Sequence, residues 1–380
     1  MRTGLKIAWA IGICCLLAGC WDIKSLQDVN YFTGIGIDYE NERYEMYIQQ
    51  LDFSSVAKSE GGKSDRPAVV WVGQASGKTL SEAIIELYQT TQQAVFWGHL
   101  NSIVFSKRAL EHADLLGVID SLIRYPEIRY TPWVYGTDKP LRELYTTRPF
   151  FNLSPMNSIL YAPETNYNQR PIIAPMRMSS FIRSLREPGQ TTLLPSLSIT
   201  SHTWTQNRKP DPKLEINGVY VLRNTKYLEW LPAEKLLGVR WLVNKKQGSR
   251  IMLTEGDERV ATVRLSRPKT KVRIEMGSSE PVFNVEVEAV ATVLEMWKEK
   301  TEAELEKMAG EQMRDQIRSS HSLGLEIHAD ILGLGHRLYR RDYAAWKRLT
   351  ADGHTPLASP RLGEVKTTVK IANSGMYKMK

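Results

Sequence analysis

The run Leu17-Ala18-Gly19-Cys20 specifies a chemical event more directly than any other part of this sequence. Arg2 and Lys6 give a positive start, Ile7 to Leu17 is almost wholly apolar, and small residues then lead to a thiol. That order is the form of a bacterial secretion signal ending in a lipid-modification box. The apolar stretch is shorter than the ~20 residues a transmembrane helix needs. The pattern predicts cleavage just before Cys20, a diacylglyceryl thioether on its sulfur and acylation of the new terminus. Segment 1–19 is then a signal peptide and 20–27 a lipidated tether. Each buried methylene contributes ~0.8 kcal/mol and one acyl chain holds only marginally, so two chains make the attachment stable. The expected place of action is the extracytoplasmic face of a membrane.

Elsewhere the residue types suggest chemistry without completing it. Of three cysteines, Cys14 and Cys15 fall in the signal and Cys20 carries lipid. The remainder has no thiol for a disulfide, a thiolate metal site or a nucleophile. Gly73-Gln74-Ala75-Ser76-Gly77-Lys78-Thr79 resembles a phosphate-binding loop, but its interval holds three residues where the motif needs four. Its simpler reading is a turn before a helix, with Thr79 as N-cap and Glu82 completing a capping box. His321, His328 and His336 are seven and eight residues apart, near one stripe of an expected helix. Zinc ligation from one helix needs closer spacing, so they read as surface or satisfied histidines. His99, in Trp97-Gly98-His99-Leu100, would need a nucleophile and an orienting acid to be catalytic. Asp38, closing Gly34-Ile35-Gly36-Ile37-Asp38, offers a ligand group, though its place at a strand end suits a turn residue better. No G-x-S-x-G, H-E-x-x-H or C-x-x-C occurs. The sequence therefore assigns no catalytic residue, no metal ligand and no cofactor. Trp97, Trp133, Trp204, Trp230, Trp241 and Trp346 are expected mostly in cores, with interface positions as the alternative.

The elements that must position these residues can be read from periodicity. Val29 to Asp38 and Tyr44 to Leu51 form an expected hairpin around Asn41, Glu42 and Arg43. Ser54 to Pro67 reads as a mobile loop, Ala68 to Val72 as a strand, and Leu80 to Thr91 as a helix. Leu100 to Phe105 and Trp133 to Tyr135 read as strands, with one helix from Arg108 to Arg124 between them. Phe150 to Arg170 is irregular, and Met176 to Arg186 is helical. The polar run Ser201 to Pro212 marks an expected domain boundary, with 201–214 as linker. Beyond it, Ile216 to Leu222, Ile251 to Leu253, Val260 to Leu265, Val272 to Glu275 and Val282 to Val293 read as strands. Ala233 to Val243 reads as a helix. A long charged helix is expected from Leu294 to about Ser319, with Trp297, Thr301, Leu305, Met308, Gln312 and Met313 inward and its wet side a possible docking face. Leu323 to Tyr339 and Tyr343 to Leu349 follow as helices, and Val365 to Ile371 as a closing strand. The fold class is thus mixed α/β and α+β, multi-domain, with mixed sheets flanked by helices. Its expected parts are an N-terminal α/β portion of one or more domains over 28–200 and a C-terminal α+β domain over 215–380.

At 380 residues the chain is long enough to be stabilised by apolar burial alone. Its formal net charge is +8, of which Arg2 and Lys6 leave with the signal, and the remaining +6 favours an anionic membrane surface. Nucleic-acid binding does not fit a chain exported from the cytoplasm.

The lipid-modification box with Cys20-Trp21-Asp22, followed by Gly34-Ile35-Gly36-Ile37-Asp38, resembles the lipoprotein C subunit of the nutrient germinant receptors of endospore-forming bacteria. Ser76-Gly77-Lys78-Thr79-Leu80 with Glu82-Ala83, Trp97-Gly98-His99-Leu100 and Arg124-Tyr125-Pro126-Glu127-Ile128-Arg129 are similar to segments of that family. So are Gly218 to Leu222 with Leu228, Asp330-Ile331-Leu332-Gly333, and Trp346. Arg129-Tyr130-Thr131-Pro132 departs from the pattern by placing a proline where a strand is expected. The resemblance implies an elongated fold of three α/β domains and a role without catalysis. It also implies a place on the outer surface of the spore's inner membrane. The implied partners are two integral membrane subunits, one transporter-like and one with soluble and membrane parts. The implied task is triggering germination in response to small nutrients. The alternative is a lipid-anchored extracytoplasmic solute-binding protein, which requires two similar lobes around a cleft. A cell-wall hydrolase is a third reading, without a motif to support it.

Overall fold

The computed structural model describes residues 4, 9, 29–51, 69–243, 248–277, 280–350, 357 and 360–373. Cys20, the tether and the loop from Ser54 to Pro67 lie outside the described residues. Among the described residues the chain is mixed α/β, with three sheets and ten α-helices.

The first module is built on a large sheet. Strands β1 (Val29–Glu40) and β2 (Arg43–Leu51) form the expected hairpin, its turn made by Asn41 and Glu42 at φ of 50° and 58°. β3 (Val70–Gly77) extends it, and α1 (Leu80–Tyr88) follows. The short β4 (Ala94–Phe96) and then β5 (Ser102–Ser106) run parallel to β1. Arg108 to Arg124 is two helices, not one: α2 (Lys107–His112) and α3 (Leu115–Ile123). The Asp114 carboxylate accepts from Gly117 N–H at 3.0 Å and starts the second helix afresh. β6 (Trp133–Thr137) lies parallel to β5, with Pro132 just ahead of its first residue. The irregular stretch expected between Phe150 and Arg170 consists of short 3₁₀ turns and α5 (Pro163–Gln169), reached from β6 through α4 (Leu141–Thr146). Then come α6 (Met178–Arg186) and β7 (Thr191–Thr200), which is parallel to β6.

The central strands β5 and β6 are buried throughout, as parallel strands covered on both faces must be. β1 shows how the two faces differ. Ile35 and Ile37 point into the core under α2, α3 and α6, while Gly34 and Gly36 face Leu141 and Tyr145 of α4. A Cβ on Gly34 would lie 2.7 Å from the Tyr145 ring. The Gly-Ile-Gly-Ile alternation thus records a helix pressed onto one face and a deep apolar core on the other.

The segment 201–214, polar in sequence, is the connection of a hairpin. β7 pairs antiparallel with β10 (Lys213–Arg223) from Thr200↔Lys213 to Thr191↔Arg223, and the small ribbon β8 (Thr205–Gln206) and β9 (Lys209–Pro210) tips the loop. β11 (Lys226–Pro232) completes the large sheet. Side-chain alternation along β10 divides it between two cores: Tyr220 and Leu222 face the first module, Val219 and Val221 the second.

Beyond β11 come a 3₁₀ turn (Ala233–Leu236) and α7 (Val239–Val243), where a single helix was expected. A four-stranded sheet follows, in the order β12 (Ser249–Glu255), β13 (Glu258–Met276), β14 (Pro281–Met296), β15 (Arg361–Asn373). The two strands expected at Val260 to Leu265 and Val272 to Glu275 are one 19-residue strand. Pro268 is carried at an irregularity between Ser266 and Lys269, where Arg267 has φ of 53°. β14 continues to Met296, so Trp297 and Thr301 are not on a helix face as expected. The helix α8 runs Glu302–Glu326, and Trp297 is 48% exposed. Leu305, Ala309, Met313 and Ile317 form its buried stripe. It carries through what was expected to be the start of a second helix; that helix, α9 (Leu334–Arg341), begins only after a turn, and α10 (Tyr343–Leu349) follows. The parallel pairing of β14 with β15 requires such a long crossover. No helix among the described residues is long and apolar enough to cross a membrane.

Candidate functional site

Asp38 lies within β1, two residues before its end and one past its last parallel pair with β5, and is 7% exposed. It holds the start of the β5–α2 connection rather than ending a turn. Its carboxylate accepts from Ser106 Oγ, from Tyr39 N–H at 2.8 Å and from both Nε and Nη2 of Arg108. Burial raises its pKa, but the Arg108 and Ser106 hydrogen bonds, the Tyr39 amide and the Arg108 charge together outweigh burial and leave it below the usual carboxylate range. The group is an ion-paired brace.

The loop-like motif is not a loop. Gly73 to Gly77 belongs to β3, paired with β2 from Ile48↔Gly73 to Tyr44↔Gly77. Its glycines admit α1: a Cβ on Gly73 would lie 2.9 Å from Leu87, and one on Gly77 2.5 Å from the Ala83 amide nitrogen. Thr79 is the N-cap as expected, accepting from Glu82 N–H at 3.2 Å. The Glu82 carboxylate, however, takes the Lys78 amide at 2.8 Å, and Glu86 takes the Ser76 amide at 2.8 Å. Amides that would cradle a phosphate are held by the chain's own carboxylates.

The three distal histidines do not share a helix. His321 on α8 bonds the Pro360 carbonyl at 2.7 Å, His328 sits in the turn after α8 at φ of 53°, and His336 on α9 meets Glu187 Oε1 at 2.9 Å. His99 packs edge-on to Tyr31 at 5.0 Å within a 3₁₀ turn. Burial, then the charge of Arg129, lowers its pKa. Trp97 packs edge-on against Phe32 at 5.1 Å, and its indole N–H donates to Tyr88 Oη at 2.9 Å. Trp97, Trp133, Trp241 and Trp346 are core residues as expected, whereas Trp204 is 52% exposed.

What the sequence did not reveal is a cavity of about 810 Å³ between the two modules. The chain before and through α6, the start of β7, α7, β13 and α9 enclose it. Ile173, Leu193, Val239, Val272 and Ile331 supply much of an apolar wall. Arg240, Arg337, Arg340 and Arg341 supply positive charge. Arg240 is 5% exposed, donates to Gln316 Oε1 at 3.0 Å and stacks on Trp241 at 4.6 Å. Burial pushes its pKa down to about 10. Arg337 donates to the Leu242 carbonyl at 3.1 Å. Asp330, also on the wall, caps α9 by accepting from Leu334 N–H at 3.0 Å and Gly335 N–H at 2.6 Å. Burial pushes its pKa up to about 6 against those bonds. Residues so far apart in sequence meet only in the tertiary fold; the local signal available was the basic run Arg337 to Arg341.

By fold, then, this is a mixed α/β protein of two modules joined through a shared strand pair, with a cationic, apolar-walled cavity at their junction. The chain belongs to the spore germination protein family related to GerAC: residues 22–199 match the model described as "Spore germination protein N-terminal domain", and 217–375 match "Spore germination B3/GerAC like, C-terminal". The border between the two matches falls at the 201–214 hairpin, across which the backbone pairing continues. Among relatives, spore germination protein KC of Bacillus subtilis is 24% identical over 356 residues, covering 88% of this chain and 86% of that one. Spore germination protein B3 of the same organism is 22% identical over 299 residues, covering 78% and 76%. The crystal structure of the GerBC protein superposes with a TM-score of 0.57 at 15% identity, covering 90% of this chain and 97% of that chain, and so shares its fold.

Proposed function

We propose that this chain is a non-catalytic, lipid-anchored subunit of a nutrient germinant receptor. Cys20 holds it at the outer face of the spore's inner membrane. There it docks on integral membrane subunits, one transporter-like and one with soluble and membrane parts. The carrying observation is one of adjacency: the family match starts at residue 22, two positions after the cysteine of the lipid-modification box. The chain divides as signal peptide 1–19, tether 20–27, N-terminal module 28–200, connection 201–214 and C-terminal module 215–380. A non-catalytic role is supported by the uses to which the reactive groups are put. Asp38 is tied to Arg108, Asp330 to helix amides, and His336 to Glu187. The lipid confines the domain near its partners and raises their effective concentration.

The test is a Cys20→Ala chain expressed in a spore former. Palmitate labelling should vanish and the protein should leave the membrane fraction or remain uncleaved. Labelling that persists in the variant contradicts the anchor. The wild-type chain should co-purify with multispanning membrane proteins in mild detergent, and repeated recovery alone contradicts complex membership.

A further inference from the structure

We propose that the cavity between the modules binds a small organic anion, a carboxylate carried on an apolar body. Its charge is one-sided. Arg240, Arg337, Arg340 and Arg341 all line it, and among the described residues none of them has a carboxylate at ion-pair distance. Of the nearby acids, Glu187 is engaged by His336, and the Asp330 carboxylate, held by amides of α9, acts on Arg337, which leaves the positive charge in excess with four arginines to one carboxylate on the wall. An arginine as buried as Arg240 is costly to leave without a counter-charge. A guanidinium fork suits a carboxylate, which it can meet through two parallel hydrogen bonds.

Gln190 and Thr191 also belong to the wall, but their partnerless side-chain oxygens, like Arg240 Nε, are occluded, so the polar groups open to an occupant are chiefly the guanidinium groups of Arg337, Arg340 and Arg341. The volume of about 810 Å³ lies within the range of small-molecule sites. The apolar walls favour a ligand with a hydrocarbon body over a bare inorganic anion. The site draws on both modules, so an occupant would also bridge them. None of this depends on the lipid anchor or on the receptor role.

The test uses the full chain in a nonionic detergent, titrated by calorimetry and ligand-observed NMR with hexanoate, with the neutral isostere hexanamide, and with inorganic phosphate. Hexanoate should bind at least about tenfold more tightly than either of the others. The exposed double variant Arg340→Ala/Arg341→Ala should weaken hexanoate about fivefold or more with an unchanged unfolding midpoint. Arg337→Gln should weaken it as well. The proposal is overturned if hexanamide or phosphate binds as tightly as hexanoate, if the variants bind like the wild type, or if no hexanoate binding is seen at about 10 mM. Binding of an acidic peptide without hexanoate would reassign the surface to a protein partner and overturn it equally.

Discussion

Asp38 shows how far a single residue can be read from sequence. Its position after Gly34-Ile35-Gly36-Ile37 suggests a strand end, but β1 continues to Glu40 and Asp38 is paired with Glu45 inside the ladder. What it does there depends on Arg108, seventy residues away, and on Ser106. No periodicity links those positions. The pair predicts a pH effect with a definite sign. The folded-state pKa is depressed, so the contribution is complete above the unfolded value of about 3.9 and is lost as pH falls through the folded one. Asp38→Asn should cost about 1.5–3 kcal/mol at pH 7, the range for hydrogen bonds to a charged group; the half-exposed Arg108 argues for the lower end. Urea denaturation at pH 7 and near pH 3 measures it. The gap between variant and wild type should shrink in acid, and a gap that stays constant would show that the charge is irrelevant. Gly73 to Gly77 is the opposite case. There the residue types imitated a phosphate loop because a tightly packed strand–helix corner needs glycine for the same reason, close approach of backbone.

At the scale of elements, the errors in boundaries have physical causes. Leu294 to Trp297 looks helical on its own, but β14 stays paired with β13 as far as Met296, beyond the point at Thr292 where its pairing with β15 stops. Propensity yields to tertiary pairing there. The true start of α8 was written in local chemistry: Thr301 Oγ1 accepts from Glu304 N–H at 3.3 Å, while Glu304 Oε2 accepts from Thr301 N–H at 2.8 Å. Thr301→Ala should cost about 0.5–2 kcal/mol and Thr301→Ser far less, measured as shifts in the urea midpoint. Equal losses in both variants would mean that the methyl group, not the hydroxyl, matters. Asp114 was a similar legible signal, an N-cap inside what periodicity alone joined into one helix.

For the whole molecule, β10 is decisive. It is hydrogen-bonded into the sheet of the first module, yet Val219 and Val221 belong to the core of the second. The modules should therefore unfold together even when their connection is cut. Nicking the chain between Arg208 and Lys209, at the exposed tip of the hairpin, should leave one cooperative thermal transition, followed by calorimetry. Two separated transitions would show that the shared strand does not couple them. The same junction encloses the cavity, so an occupant that fits it should raise that single transition.

The sequence by itself determined the character of most strands and helices, though not the strand residues Gly73 to Gly77 or Leu294 to Met296. Alternation of period two and the 3.6-residue stripe are local properties of burial on one face. It also determined the family, through motifs spread in order along the chain, and it is the source of the proposal that Cys20 carries the anchor. Tertiary structure alone decided the pairing of Asp38 with Arg108, the continuous 19-residue β13, the division of β10 between two cores and the gathering of four arginines around a cavity. Those depend on contacts between residues distant in the chain. Composition along a single segment carries no record of which distant segment will cover it.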